Sequence, residues 1–543
     1  MSSHDKLLAD YRLRREAVAR QLDTELFVKP EQTVELLETA IKPGDVVCLE
    51  GNNQKQADFL AEALSKVNPK EVNNLHMVQS SLVLDEHVEV FEKGIANRLD
   101  FAFSGPQAKK LFKAVNSQQV NVGAIHTYLE LYGRYFVDLT PRVAMVVADA
   151  CDPSGNLYTG ANTEDTPLIT EATNFKNGLV IAQVSEKKDS LSRVDIPADW
   201  VDYIVVTEEP YHHEALFTRD PAQITDLQVL TGMMIIKGIY EEYKVSKLNH
   251  GLGFATAAVE LLLPTYGREI GLSGEVCSHW VLNPHPTLIP AIEEGIAQKV
   301  YPFGGEIGTN EYVQARPDVF PTDSNGLMRS GRCNAHVAGL YGIDCFTGAT
   351  LQIDKYGNSS TAIDGMIAGF GGAPNLGSTP PGRRHQTEAF AKAGAVHYDN
   401  HYGRKLVVQV TPTVSEKKSI PVFREKLDAY DLYEAGHFEA PPVMIDAQQM
   451  THIVTEKGIA YLDRCNSMEE QMAAVRAVAG DTEVGERERT AETDRLRTKG
   501  KVKTPDDLGI NVADATTDKL AAHSIEDLVE ISNGLYNPPQ YLL

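Results

Sequence analysis

Three short landmarks occur twice along this chain in the same order, and a duplication restricts the fold more tightly than any compositional figure. The first is an apolar strand running into a polar glycine turn: Val46-Val47-Cys48-Leu49-Glu50-Gly51-Asn52-Asn53, and again Leu248-Asn249-His250-Gly251-Leu252-Gly253. The second is a strand leading into Asp-x-x-Gly-Asn, from Asp152 to Asn156 and from Asp354 to Asn358. The third is Val-Thr-Glu closing an apolar strand, at Val206-Thr207-Glu208 and Val454-Thr455-Glu456. Gly251 follows Gly51 by 200 residues and Asp354 follows Asp152 by 202, whereas Val454 follows Val206 by 248. The second half therefore carries an insertion of 46 residues between its last two landmarks. One undivided α/β fold with recurrent turn chemistry is the competing explanation; three pairs in one order favour duplication.

Between the strands, residues 54–67, 105–115, 222–243, 255–263 and 287–298 place apolar side chains three and four apart, the spacing of an amphipathic helix. Strands alternating with such helices build βαβ units, whose sheets are mainly parallel and covered on both faces. The expected architecture is α/β with two homologous halves, 1–222 and 223–543, each a mainly parallel sheet flanked by helices. The segment 216–225, with Pro221 starting a helix, bridges them. Residues 1–23 read as a charged amphipathic helix without the apolar core of a secretory signal. The charged stretch 481–503 reads as a solvated helix or arm.

The 543 residues include 51 Lys and Arg against 75 Asp and Glu, a net charge of −24, which is the wrong sign for a protein that neutralises nucleic-acid phosphates. No apolar run approaches the ~20 residues of a membrane-spanning helix, so neither nucleic acid nor membrane is an expected partner and the cytoplasm is the expected location. The six cysteines lie far apart with no Cys-x-x-Cys, and read as buried thiols. There is no Walker-type loop, His-Glu-x-x-His or Gly-x-Ser-x-Gly, and Gly251-x-Gly253 and Gly369-x-Gly371 lack the third glycine of a dinucleotide fingerprint.

The chemistry-bearing candidates are loops. Gly369-Phe370-Gly371-Gly372-Ala373-Pro374 has three glycines in four residues, which lets the backbone approach a ligand and aim successive N–H groups at one point, as a tetrahedral oxyanion requires. A tight turn packed on a helix would use the same residues. The turn after Asn249, Gly251 to Gly253, precedes an apolar helix and can hold a carboxylate or phosphate on free N–H groups; a plain strand-to-helix turn is the alternative. Glu50, Asn52, Asn53 and Gln54 occupy the equivalent polar turn of the first half. Asn283 and His285 alternate with prolines at a strand end, and Glu306 follows Gly304-Gly305. Arg383 and Arg384 form a compact basic patch on an acidic chain.

These loops sit within longer lines, CLEGNNQKQADFL (48–60), GAIHTYLELYGRYFVDLTPRVA (123–144), GNLYTGANTEDTP (155–167), LNHGLGFATAAVELLLPTY (248–266), HWVLNPHPTLIPAIE (279–293), TLQIDKYGNSSTA (350–362) and IAGFGGAPN (367–375). By these the chain resembles the coenzyme A transferase superfamily, and within it the alpha subunits of malonate decarboxylase, over most of its length. The resemblance implies two coenzyme A transferase-like halves and an acyl exchange on a carrier-protein thiol, in which acetyl-S-carrier and malonate give malonyl-S-carrier and acetate. It implies a thiol on the phosphoribosyl-dephospho-coenzyme A group of an acyl carrier subunit, separate decarboxylase subunits, and no cofactor held by this chain. Many superfamily members use a glutamate nucleophile after the strand that follows the second-half glycine turn; here that strand end reads Val281-Leu282-Asn283-Pro284-His285. Direct attack by malonate is therefore expected, with Gly371, Gly372 and Ala373 N–H groups on the oxyanion. Asn283, Asn52 and the Gly251–Gly253 turn would position the reactants, Glu306 and Glu50 are the fallback nucleophiles, and Arg383, Arg384, Arg404 and Lys405 would meet the carrier. The related alternatives are a citrate lyase alpha-type transferase, a free coenzyme A transferase or thioester hydrolase, and a non-catalytic sensor.

Overall fold

The computed structural model describes residues 3–52, 54–272, 274–322, 331–377, 405–415, 419–486 and 490–543. In the first half, Val46–Leu49 lies between Leu75–Ser81 and Val143–Cys151. Beyond the former come Ala96–Phe103 and Asn121–Ile125, and beyond the latter Leu179–Lys187, Tyr203–Val206 and Phe27–Val28. Every pairing along that path is parallel. The second half repeats the order: Lys247–His250 lies between His279–Val281 and Cys345–Ala349, followed outward by Lys299–Tyr301 on one side and by Leu406–Val410 and His452–Thr455 on the other. Those pairings are also parallel, and two antiparallel strands, Gly458–Tyr461 and Val502–Lys503, extend that edge.

The two Asp-x-x-Gly-Asn turns are built alike. Asp152 Oδ1 accepts from the N–H groups of Ser154 and Asn156 at 2.9 and 3.0 Å, and Asp354 Oδ1 from those of Tyr356 and Asn358 at 2.9 Å each. Each Asp Oδ2 accepts from the Asn side chain at 2.8 Å, and Gly155 and Gly357 both have φ of +95°. The duplication thus extends from strand order to the turn's hydrogen bonds.

Strand Val143–Cys151 reads as an almost unbroken apolar run because both its faces are buried. Val143, Met145 and Val147 enter one core and Ala144, Val146 and Ala148 the other, on the opposite face of the sheet. Helix Asp226–Ile235 opens with a capping box between Thr225 and Gln228. The expected helix at 54–67 starts only at Asp58, since the residues before it are held in the preceding turn, and that at 287–298 is a 3-10 turn plus Ile289–Glu293. Within 481–503 the expected helix forms at Ala491–Thr498, but it is not wholly solvated: it buries Leu496, and Val502 is buried in a strand on the sheet edge. Its charges lie between apolar anchors. Cys48, Cys151, Cys277 and Cys345 are buried, while Cys333 and Cys465 are partly exposed.

Much of what positions the site is the inserted glycine loop, which leaves the second half and docks on the first. Phe370 and Gly371 N–H both donate to Ala102 O, at 2.8 and 2.9 Å, and Tyr128 N–H donates to Gly371 O at 3.1 Å. Gly369, at φ +100°, approaches Ala102 so closely that a Cβ would lie 2.5 Å from its carbonyl oxygen, so only glycine fits.

Candidate functional site

Where the glycine loop faces the turn after Lys247–His250 there is a cavity of about 210 Å³. Asn249, Gly251 and Leu252 form one wall, Gly369 to Ala373 another, and Phe103, Tyr128, Phe217, Phe303 and His336 contribute rings. No aspartate, glutamate, cysteine or lysine lines it among the described residues. The two glycine segments singled out in the sequence therefore meet, one from each side of a mostly apolar chamber.

The donors available there differ from the three expected. Gly371 N–H is committed to Ala102 O, and Ala373 N–H leans on Phe370 O at 3.4 Å. Gly372 N–H has no acceptor among the described residues. Docking the loop consumes one of the three expected donors, and leaves Gly372 N–H the one without an acceptor. Gly251 N–H is likewise committed, to Thr347 O at 2.8 Å, and Gly253 serves as the first residue before helix Phe254–Leu262 without lining the cavity.

A relay of side chains crosses from the turn of the first half to the second. Asn283 Nδ2 donates to Gln54 Oε1 at 3.0 Å and to Gly305 O at 2.8 Å; Gln54 Nε2 donates to Glu306 Oε2 at 3.0 Å. Glu306 Oε1 accepts from the Thr218 backbone and hydroxyl at 3.1 and 2.8 Å. Burial pushes the Glu306 carboxyl up to about 7, against the pull of those donors. Gln54 and Glu306 line a neighbouring cavity of about 350 Å³, shared with Asp149, Tyr211 and His213. Burial raises Asp149, which accepts from the Tyr211 hydroxyl at 2.9 Å, and lowers His213 to about 4. Asn249 Nδ2 donates to Val281 O at 2.5 Å, leaving its buried Oδ1, like that of Asn283, without a partner.

Three other candidates line neither cavity. Glu50 accepts from Val147 N–H at 2.8 Å and the Thr166 hydroxyl at 2.6 Å and pairs with buried Lys55 at 3.6 Å; it is sealed under the sheet and lines neither cavity. Asn52 closes its own turn, Oδ1 accepting from Lys55 N–H at 2.8 Å, and also lines neither. His285 stands one layer back, its Nδ1 2.9 Å from Glu260 Oε1, its ring stacked at 5.1 Å on cavity-lining Phe217. Although burial opposes it, His285 and His250 hold the Glu260 carboxyl well below the usual range. Lys405 is buried, donating to Gly339 O and Leu340 O at 2.8 and 3.0 Å, and offers no docking surface. Asn53, Arg383, Arg384 and Arg404 lie outside the described residues.

Sequence reasoning did not single out His336, which lines the cavity, or Arg219, which lines neither cavity. Arg219 is half-buried, with Nη1 donating at 2.7 Å to Leu216 O and Thr218 O and with no carboxylate at ion-pair distance among the described residues; burial lowers it despite the fields of Glu306 and Glu260. It was visible as one of few cations near a bridge segment, but nothing local ties it to the site. His336 sits in no motif and reaches the cavity only through the packing of its helix.

A family model described as malonate decarboxylase, alpha subunit, transporter matches residues 4–542. An acetyl-S-ACP:malonate ACP transferase of Malonomonas rubra is 54% identical over 543 residues, covering 98% of each chain. Among solved structures, a chain of a Pseudomonas malonate decarboxylase hetero-tetramer in complex with malonate is 48% identical with a TM-score of 0.95, covering 99% of each chain. The alpha subunit of a malonate decarboxylase from Acinetobacter baumannii is 48% identical with a TM-score of 0.94 and the same coverage. With the duplicated sheets, the docked glycine loop and a match along essentially its whole length, this chain belongs to the malonate decarboxylase alpha subunit family.

Proposed function

We propose that this chain catalyses acyl exchange on a carrier protein, converting acetyl-S-carrier and malonate to malonyl-S-carrier and acetate, by direct attack of malonate. The observation that carries the mechanism is the cavity itself: it offers a free backbone N–H at Gly372 and no carboxylate or thiol of its own among the described residues. The nucleophile is then the substrate's. A malonate carboxylate oxygen adds to the acetyl thioester carbon, the tetrahedral oxyanion is held by Gly372, and its collapse expels the carrier thiolate and leaves a mixed anhydride. The thiolate adds to the malonyl carbonyl carbon, and the second collapse releases acetate. No proton is gained or lost, so the site requires orientation and oxyanion donors rather than a general base.

The thiol is that of the phosphoribosyl-dephospho-coenzyme A group on an acyl carrier subunit, a substrate of this chain rather than a resident cofactor, and decarboxylase subunits in the cytoplasm consume the malonyl product. Arg219, whose Nη1 meets only backbone carbonyls and which has no ion pair at contact distance among the described residues, is the candidate for malonate's second carboxylate.

The test is one turnover of acetyl-carrier with ¹⁸O-malonate. Direct attack delivers one ¹⁸O into the first acetate formed. Unlabelled acetate, with a hydroxylamine-trappable glutamyl adduct at Glu306, would overturn it; exchange with citrate in place of malonate would redirect it to the citrate lyase type, and loss of acetyl without acid to a hydrolase.

A further inference from the structure

The helix Arg332–Gly342 delivers two buried side chains, one turn apart, to the junction of the halves. Arg332 forms a fully buried ion pair with Glu164 and lies 4.7 Å over the Tyr128 ring. That anchor fixes the helix against the first half. His336, four residues on, is 2% exposed and lines the acyl cavity. Its ring stacks on Phe303 with centroids 4.5 Å apart and planes 4° from parallel, and leans on Tyr128 at 5.2 Å. The ring edge faces Gly372: a Cβ there would lie 2.4 Å from Cε1 and 3.3 Å from each ring nitrogen.

A ring this tightly held normally has its nitrogens satisfied, because a buried polar atom without a partner costs about 1–3 kcal/mol. Here Nδ1 is buried with no partner, and His336 makes no hydrogen bond among the described residues. The polar demand of the imidazole is directed into a chamber whose other free donor, Gly372 N–H, is its immediate neighbour.

We propose that His336 is a catalytic residue that donates a hydrogen bond from its neutral imidazole to the tetrahedral oxyanion, completing with Gly372 N–H a two-donor site. This rests on the exchange reaction proposed above. Burial and the nearby Arg332 charge push the imidazole well below its usual titration range, so it stays neutral with one N–H to give. The lone pair of its other nitrogen takes no part, since the reaction transfers no proton. The Phe303 stack and Tyr128 hold the ring against rotation, so the donor is oriented before substrate arrives.

The test uses the full complex with acetyl-carrier and malonate. In His336→Phe, which keeps an aromatic ring on Phe303 but removes the donor, kcat should fall about 100- to 1,000-fold with little change in KM for malonate. His336→Gln, which restores an N–H, should recover at least part of the loss. The wild-type kcat should show no acidic limb that His336→Phe removes. A His336→Phe complex with an unchanged melting temperature and kcat within threefold of wild type would overturn the proposal. A loss confined to KM, or a wild-type acidic limb that vanishes in the Phe variant, would overturn it too, assigning substrate binding or base chemistry instead. Should the Phe variant fail to fold, His336→Gln against His336→Leu decides: equal activities refute the donor. Absence of malonate-dependent exchange in the wild-type complex is a separate result, and removes the underlying reaction and the proposal together.

Discussion

Glu306 shows how a residue's environment sets its behaviour. Its ordinary carboxyl value is 4.5 and its folded value about 7, so between those pH values the native protein keeps a proton that the unfolded chain has lost. Stability from this residue is full below pH 4.5, declines as pH rises to about 7, and is level above that; the swing is on the order of 3 kcal/mol. Glu306→Gln should flatten the fall in melting temperature between pH 5 and 7, read by calorimetry; an unchanged slope would show a normally titrating carboxyl. Arg219 is a half-buried cation with no ion pair at contact distance among the described residues, lowered by burial against the fields of Glu306 and Glu260. Replacing it with Gln should raise KM for malonate about 10- to 100-fold, the worth of a charged hydrogen bond, while kcat changes less. Steady-state kinetics with malonate as the varied substrate checks this.

At the scale of elements, the paired Asp-x-x-Gly-Asn turns give the duplication an energetic consequence. Each Asp accepts three hydrogen bonds within its turn, and each Asn carbonyl oxygen accepts from a distant segment, Ala198 N–H at 2.9 Å and Ala447 N–H at 2.8 Å. Asp152→Ala and Asp354→Ala should therefore each destabilise by about 1–3 kcal/mol, and the double variant by about their sum, as independent sites do. Denaturant unfolding decides; strong non-additivity would mean the two turns communicate. The turns were legible in the sequence because their chemistry is local: an Asp cap, a glycine at positive φ and an Asn within five residues. The strands were legible for a related reason, since runs such as Val143–Cys151 are apolar on both faces. The helix at 287–298 was not, because its spacing is helical while prolines and a short turn shorten it.

Across the whole molecule, the acyl cavity exists only because the inserted loop crosses to the opposite half. Gly369→Ala places a methyl against Ala102 O at a backbone angle that disfavours any side chain, at a cost of about 1–3 kcal/mol. It should lower the melting temperature modestly but malonate-dependent exchange severely, since the loop would lift from Ala102 and Tyr128; normal exchange would show that docking is dispensable. The sequence by itself determined the α/β class, the two-fold repetition and the two glycine segments, because each is written in periodicity or in turn chemistry spanning a few residues. Tertiary structure alone decided which N–H groups stay free, that Glu50, Asn52 and His285 line neither cavity, and that His336 lines the one the glycine loop closes. Those outcomes depend on carbonyls, rings and charges brought together from segments up to hundreds of residues apart, and no local pattern encodes which of them will meet.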